Sequence, residues 1–213
     1  MTTSQLIRSL GLLCLLLLSS TAWAQRSAQA ELKAAAQHLS HADGTQIAFN
    51  AETFGSGRSG SAPLSAGTLI VKGNQFRLSF GQMTAVYDGK KTLSYYDASE
   101  HTLNISHPTS AELAMINPLI ILTQAESGYR TEMLPAAKGS NIIGLTPKTS
   151  NGIKRIELQV SAQGSRPIGA VIILQDGSRI VTRITGISAA KTSPALFRLN
   201  KADYPGVEVV DLR

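Results

Sequence analysis

Cysteine is nearly missing from this chain of 213 residues, and the one present, Cys14, lies in an apolar run near the N-terminus. Leu13 stands before it, where a lipid-attachment signal wants a small residue. Disulfides, thiolate nucleophiles and a lipid anchor are therefore not expected of the mature chain. Charge and aromatic rings are also scarce, at 16% and 5% of residues. The net charge of +6 is scattered along strand-like segments, without the interleaved aromatics of a nucleic-acid surface, so no nucleic-acid partner is expected. No Gly-x-Ser-x-Gly elbow occurs. Gly89-Lys90-Lys91-Thr92 lacks the upstream glycine spacing of a phosphate loop and sits between strands. His38 and His41, with Asp43 nearby, have no third ligand at a usual metal-binding spacing. The chain reads as a protein without cofactor or metal, and not as an enzyme.

Among the features present, the N-terminus is the plainest. Arg8 precedes an apolar run from Leu10 to Leu18, and Ala22-Trp23-Ala24 follows as a small-x-small cleavage site. Residues 1–24 are expected to be a secretory signal peptide, cleaved near Ala24 and Gln25, since the run is too short to span a bilayer. Its removal takes away Arg8 and no acidic residue, lowering the net charge by one. Residues 25–213 suit one domain with a single core.

The segment Ala28 to His38, with Leu32, Ala35, Ala36 and Leu39 at helical spacing, predicts an amphipathic helix. After Asp43-Gly44 the period becomes two, with Ile47, Phe49 and Ala51 on one side of a strand. Gly55 to Ser61 reads as a flexible loop. Five short strands follow, over Gly67 to Lys72, Gln75 to Phe80, Thr84 to Tyr87, Thr92 to Tyr96 and Thr102 to Ser106. Asp88-Gly89 is a hairpin signal. Thr109 or Ser110 with Glu112 then opens an apolar run, Leu113 to Thr123, and Pro118 predicts a broken helix. Alternation resumes over Tyr129 to Leu134, Asn141 to Thr146, Lys154 to Val160, Pro167 to Leu174, Arg179 to Ile187 and Val207 to Asp211. The expected fold is mainly β: about eleven antiparallel strands in one meander. A sheet that wide curls, and helices are at hand to cover one face. Phe76, Leu78 and Phe80 share one side of their strand, opposite Arg77 and Ser79, and Ile156, Leu158 and Val160 repeat the pattern. By itself that pattern describes an ordinary core as well as a cavity wall.

Several motifs in this order carry a resemblance: Gly67-Thr-Leu-Ile-Val-Lys72, Phe76-Arg77, Val86-Tyr-Asp-Gly-Lys90, the Pro118-Leu119 segment, Leu145-Thr-Pro-Lys-Thr-Ser-Asn-Gly152, Asp176-Gly177 and Pro205-Gly-Val207. Over nearly the whole mature chain it resembles the periplasmic lipoprotein carrier family, LolA, as a divergent member. The resemblance implies an incomplete barrel, a half-barrel whose concave face is closed by lid helices and holds the acyl chains of lipoproteins in an apolar cavity. It implies a monomeric periplasmic carrier that shuttles lipoproteins from an inner-membrane ABC transporter to an outer-membrane acceptor or the outer membrane. A periplasmic lipid- or lipoprotein-sensing protein of the same fold is the alternative. Inward strand positions then place Ile47, Phe49, Leu69, Val71, Phe76, Leu78, Phe80, Leu93, Tyr95, Leu158 and Val160 around the cavity, with Met115, Ile116, Leu119 and Leu122 on the lid. Two departures stand out. Members of the family often carry a lid-latching arginine after the second strand and a tryptophan on the third, where this chain has Gly73 and Leu78. Lid closure is thus expected to rest on apolar contacts.

Overall fold

The first and last long strands of the chain pair with each other, and that pairing organises the molecule. In the computed structural model, which describes residues 27–56, 61–117, 119 and 128–213, a helix α1 (Ala28–Gln37) precedes β1 (Thr45–Phe54), β2 (Ser61–Lys72), β3 (Gln75–Phe80), β4 (Met83–Tyr87), β5 (Leu93–Asp97) and β6 (Thr102–Ser106). A helix α2 (Ser110–Ile116) leads to β7 (Tyr129–Leu134), β8 (Ser140–Pro147), β9 (Ile153–Ser161), β10 (Pro167–Leu174) and β11 (Arg179–Ala189). Two short 3-10 turns, Pro194–Phe197 and Lys201–Asp203, precede β12 (Glu208–Asp211). The described strands form one unclosed, curled sheet in the order β12-β6-β5-β4-β3-β2-β1-β11-β10-β9-β8-β7.

The fold is therefore the curled, mainly β half-barrel expected, with two differences in connection. The sheet is not one meander: β1–β6 and β7–β11 are separate meanders, joined where β1 runs antiparallel to β11, Thr45 opposite Ala189. The last strand is not antiparallel, because β12 lies parallel to β6, with Glu208 opposite Thr102. A parallel pair needs a crossover connection. The segment between β11 and β12, with its two 3-10 turns, supplies it. Strand β2 also begins at Ser61, six residues earlier than the sequence pattern suggested, because β1 pairs with it as far as Phe54 opposite Ser61. The signal-peptide reading and Cys14 lie outside the described residues.

Local chemistry explains the turns and helix ends. At the β4–β5 hairpin the carboxylate of Asp88 accepts backbone N–H groups of Lys90, Lys91 and Thr92 at 2.8, 2.9 and 3.0 Å. Gly89, at φ +79°, makes the left-handed step. The lysine-rich Gly89–Thr92 segment is thus a carboxylate-capped turn. Helix α1 starts at Ser27, whose hydroxyl accepts the Ala30 N–H at 3.2 Å, and buries Leu32 and Ala35. Its inward Glu31 accepts the Ser165 hydroxyl at 2.6 Å, so the buried acid is hydrogen-bonded. At the end of α1, the His38 Nε2 meets the Gly164 carbonyl at 2.7 Å, tying the helix to the β9–β10 turn.

The main core lies on the concave face, with Ile47, Phe76, Ile143, Leu145, Ile156, Leu158, Val160 and Ile172 almost fully buried beneath α1 and α2. A second buried group was not anticipated from the sequence. Val86 and Leu103 point to the convex face and are buried, as are Phe197 and Val207 of the C-terminal segment. That segment is held across the sheet by named contacts. The Arg77 guanidinium donates to the Leu196 carbonyl at 3.3 Å, and the Tyr96 and Tyr204 rings lie 4.0 Å apart. His101 contacts the Tyr96 hydroxyl at 3.3 Å and donates from Nε2 to the Pro205 carbonyl at 3.1 Å. Arg77 is accordingly a convex-face residue.

Helix α2 carries a full capping box. The Thr109 hydroxyl accepts the Glu112 N–H at 3.3 Å, and the Glu112 carboxylate accepts the Thr109 N–H at 2.7 Å. These bonds from the Thr109 backbone and side chain hold the Glu112 carboxyl below its ordinary 4.5. A carboxyl whose folded pKa is lowered contributes stability that is complete above its unfolded pKa and is lost as pH falls through the folded one. Hydrogen-exchange protection of Ser110–Ile116 should therefore drop, relative to β9, as pH falls from about 6 to about 3. Thr109→Ala should lower protection already at neutral pH. Protection in α2 that stays constant across this range in the unmodified protein would show that the box does not hold the helix.

Candidate apolar binding site

The chain passes from β6, beside one edge of the sheet, to β7, the other edge, and α2 rides on this connection across the concave face. It ends at Asn117, whose φ of −131° and ψ of 88° are not helical. Pro118 follows in the sequence, and a proline disfavours the helical conformation in the residue before it. The Asn117 Oδ1 accepts the Leu119 N–H at 3.1 Å, turning the chain so that Leu119 packs inward, 6% exposed. The remaining lid residues of the sequence reading, Pro118, Leu122 and their apolar neighbours Ile120 and Ile121, lie outside the described residues.

Under this segment is a cavity of about 250 Å³. Its described lining is Ile47, Phe49, Ala51 and Thr53 of β1, Leu69, Leu78, Phe80 and Met83 of the next strands, Ile172, Ile180, Thr182 and Ile184 of β10 and β11, and Met115, Ile116, Asn117 and Leu119 above. No described lining residue is charged. The β1–β11 pairing carries one extra residue on β11, Thr185, opposite the step from Ala48 to Phe49. The Phe49 ring lies over Gly67, where a Cβ would overlap it, and stacks on Phe80 with centroids 5.9 Å apart. Gly67 is thus required by close approach. Met115 is 41% exposed and marks the mouth.

A second cavity, of about 310 Å³, lies alongside. It is lined by Ala36, Leu39, Ser40 and His41 at the end of α1, by Val71, Gly73, Asn74, Gln75 and Phe76 of the β2–β3 hairpin, and by Asn117 and Leu119. The last two residues are shared by both cavities.

The structure thus gathers Ile47, Phe49, Leu69, Leu78, Phe80, Met115, Ile116 and Leu119 of the expected lining around the first cavity. Val71 and Phe76 border the second instead, with Leu119. Leu93, Leu158 and Val160 are packed in the core and Tyr95 is half-buried against it; none of the four lines either cavity. Sequence reasoning missed Met83, Ile172, Ile180 and Ile184. Alternation within β11 was visible, but which strand adjoins β1 was not.

A family model described as the outer membrane lipoprotein carrier protein LolA matches residues 19–169. No curated protein sequence matches the chain. Among solved structures, an uncharacterized conserved protein from Thermus thermophilus is similar, with 16% identity over 86% of this chain and 98% of that one, and a TM-score of 0.53. At that identity the likeness concerns the fold. A LolA superfamily protein from Nitrosomonas europaea shares 13% identity over 82% of this chain and 99% of that one, with a TM-score of 0.48. The family match spans α1 to the start of β10, including α2 and most of the cavity lining, and on it the chain is a member of the LolA outer membrane lipoprotein carrier family.

Proposed function

We propose that this protein is a periplasmic carrier that encloses acyl chains of lipoproteins in the apolar cavity beneath α2 and moves them from an inner-membrane ABC transporter to an acceptor at the outer membrane. Residues 1–24 would be its cleaved export signal and residues 25–213 its carrier domain. The observation that carries this reading is the cavity itself: a chamber without charged described lining, walled by sheet and roofed by a short helix.

The energetics favour enclosure. About fifteen methylenes at roughly 0.8 kcal/mol each make an acyl chain worth on the order of 12 kcal/mol to bury. Usable non-covalent affinity saturates near about 20 kcal/mol, so a carrier that must also release its cargo cannot capture every methylene of several chains. The present cavity falls just below the roughly 300–1,000 Å³ of small-ligand pockets, so it suits a single chain as it stands. Larger cargo requires α2 to lift, which its attachment through apolar contacts permits. Strands hold the wall while the lid adjusts.

Mass spectrometry of material co-purified with the protein from the periplasm tests the proposal. Acylated polypeptides should be recovered in about stoichiometric amount. Recovery of a soluble, non-acylated ligand in their place would overturn it.

A further inference from the structure

The second cavity differs from the first in chemistry rather than in size. Four polar residues, Ser40, His41, Asn74 and Gln75, border it beside a larger apolar wall that includes Leu39 and Phe76, and no lysine or arginine is among its described lining residues. Two of the polar groups are already anchored on one side. The Ser40 hydroxyl donates to the Ala36 carbonyl at 2.9 Å, and the Gln75 amide to the Asp88 carbonyl at 3.3 Å. An oxygen of each remains able to accept. His41 and Asn74 are exposed at the rim and able to bond a ligand. Gly73 keeps the hairpin side open: it turns at φ +56°, and no atom lies within 4 Å of the place a Cβ would take.

We infer that this chamber receives the neutral polar junction of an acylated polypeptide, where ester and amide groups join the acyl chain to the peptide, while the chain itself occupies the apolar cavity on the other side of Asn117 and Leu119. The inference rests on the carrier reading above. A second acyl chain is a poor occupant, since it would strip water from these polar groups without replacing their hydrogen bonds. A phospholipid is poor for another reason. Its phosphate needs a cationic or multi-donor cradle, and among the described residues the rim offers only neutral amides, a hydroxyl and one imidazole. Ester and amide carbonyls require only single donors, which the Asn74 carboxamide and His41 ring can supply. The two chambers together thus select for an apolar chain bearing an uncharged polar joint, and discriminate acylated polypeptide from membrane phospholipid.

Three single-chain probes separate the possibilities: an N-acetylated monoacylglyceryl-cysteinyl peptide of uncharged residues, palmitate, and lysophosphatidylglycerol, each competing against a fluorescent fatty acid. His41→Trp and Asn74→Trp both fill the second chamber from exposed positions, and circular dichroism with thermal unfolding confirms that each variant folds. In the unmodified protein the lipopeptide should bind more tightly than lysophosphatidylglycerol. In each variant lipopeptide affinity should fall about tenfold, the value of one or two lost hydrogen bonds, while palmitate affinity changes less than about twofold. Equal losses for lipopeptide and palmitate, or no loss for either, would overturn the second chamber and leave the carrier reading in place. Failure of the unmodified protein to bind any of the three probes would instead remove the carrier reading, and the inference with it.

Discussion

Leu78→Glu is expected to abolish acyl-chain binding, lowering palmitate affinity by about a hundredfold or more, while leaving the sheet folded. Leu78 faces the apolar cavity from β3, paired with Leu69 on one side and Ala85 on the other, and is 5% exposed. A carboxylate there can keep water around it as long as the cavity is empty. Once an acyl chain enters, that water must leave, and an unpaired charge in an apolar site is costly by several kcal/mol. The penalty thus falls mainly on the complex. Leu78→Met, which conserves volume and polarity, should hold affinity within a few-fold. Fatty-acid displacement titrations on both variants, with circular dichroism as the check on folding, measure the contrast. Undiminished binding by a folded Leu78→Glu protein would place the acyl site elsewhere.

The largest stability effect is expected on the opposite face of the sheet. Phe197, 2% exposed, sits in the first 3-10 turn of the segment that crosses the convex side. Truncating a fully buried phenylalanine removes its transfer free energy and leaves a cavity, together about 3–5 kcal/mol. Phe197→Ala should lower the free energy of unfolding by about that amount in urea, a large part of a typical domain's stability. Leu212→Ala, at a side chain 66% exposed, should change it by less than about 0.5 kcal/mol. Similar values for the two substitutions would mean that the C-terminal segment only rests on the sheet. The family match ends at residue 169, before this segment begins, so its contribution follows from the geometry of this chain alone.

The lid illustrates how far local patterns reach. Thr109 and Glu112, three residues apart before an apolar run, announce a capping box, and the bonds are there. Pro118 announces a break in that helix, and the helix before it ends at Ile116, the stretch after Leu119 lying outside the described residues. Both signals are read within one turn of chain. The cavity lining was only partly readable for a related reason: period-two alternation tells which side chains share a face, and Ile47, Leu69 and Leu78 were found that way. It does not tell which of those positions are covered by solid core. Leu158 and Val160 share the concave side but lie on β9, beyond the residues that line the cavity, whereas Ile172, Ile180 and Ile184 come next to β1 through β10 and β11.

By itself the sequence determined the strand and helix types, the turn chemistry, the inward faces and the family, because each depends on spacings and residue preferences within about ten neighbouring residues or on motifs in order. The tertiary structure decided what depends on pairing between distant segments. It joined β1 to β11 where a meander was expected. It carried the C-terminal segment over the convex face into a parallel strand, and it divided the space under the lid into an apolar chamber and one of mixed lining at Asn117 and Leu119. Strand alternation is the same whichever neighbour a strand takes, so no local pattern could choose among these arrangements; the burial of both sheet faces did.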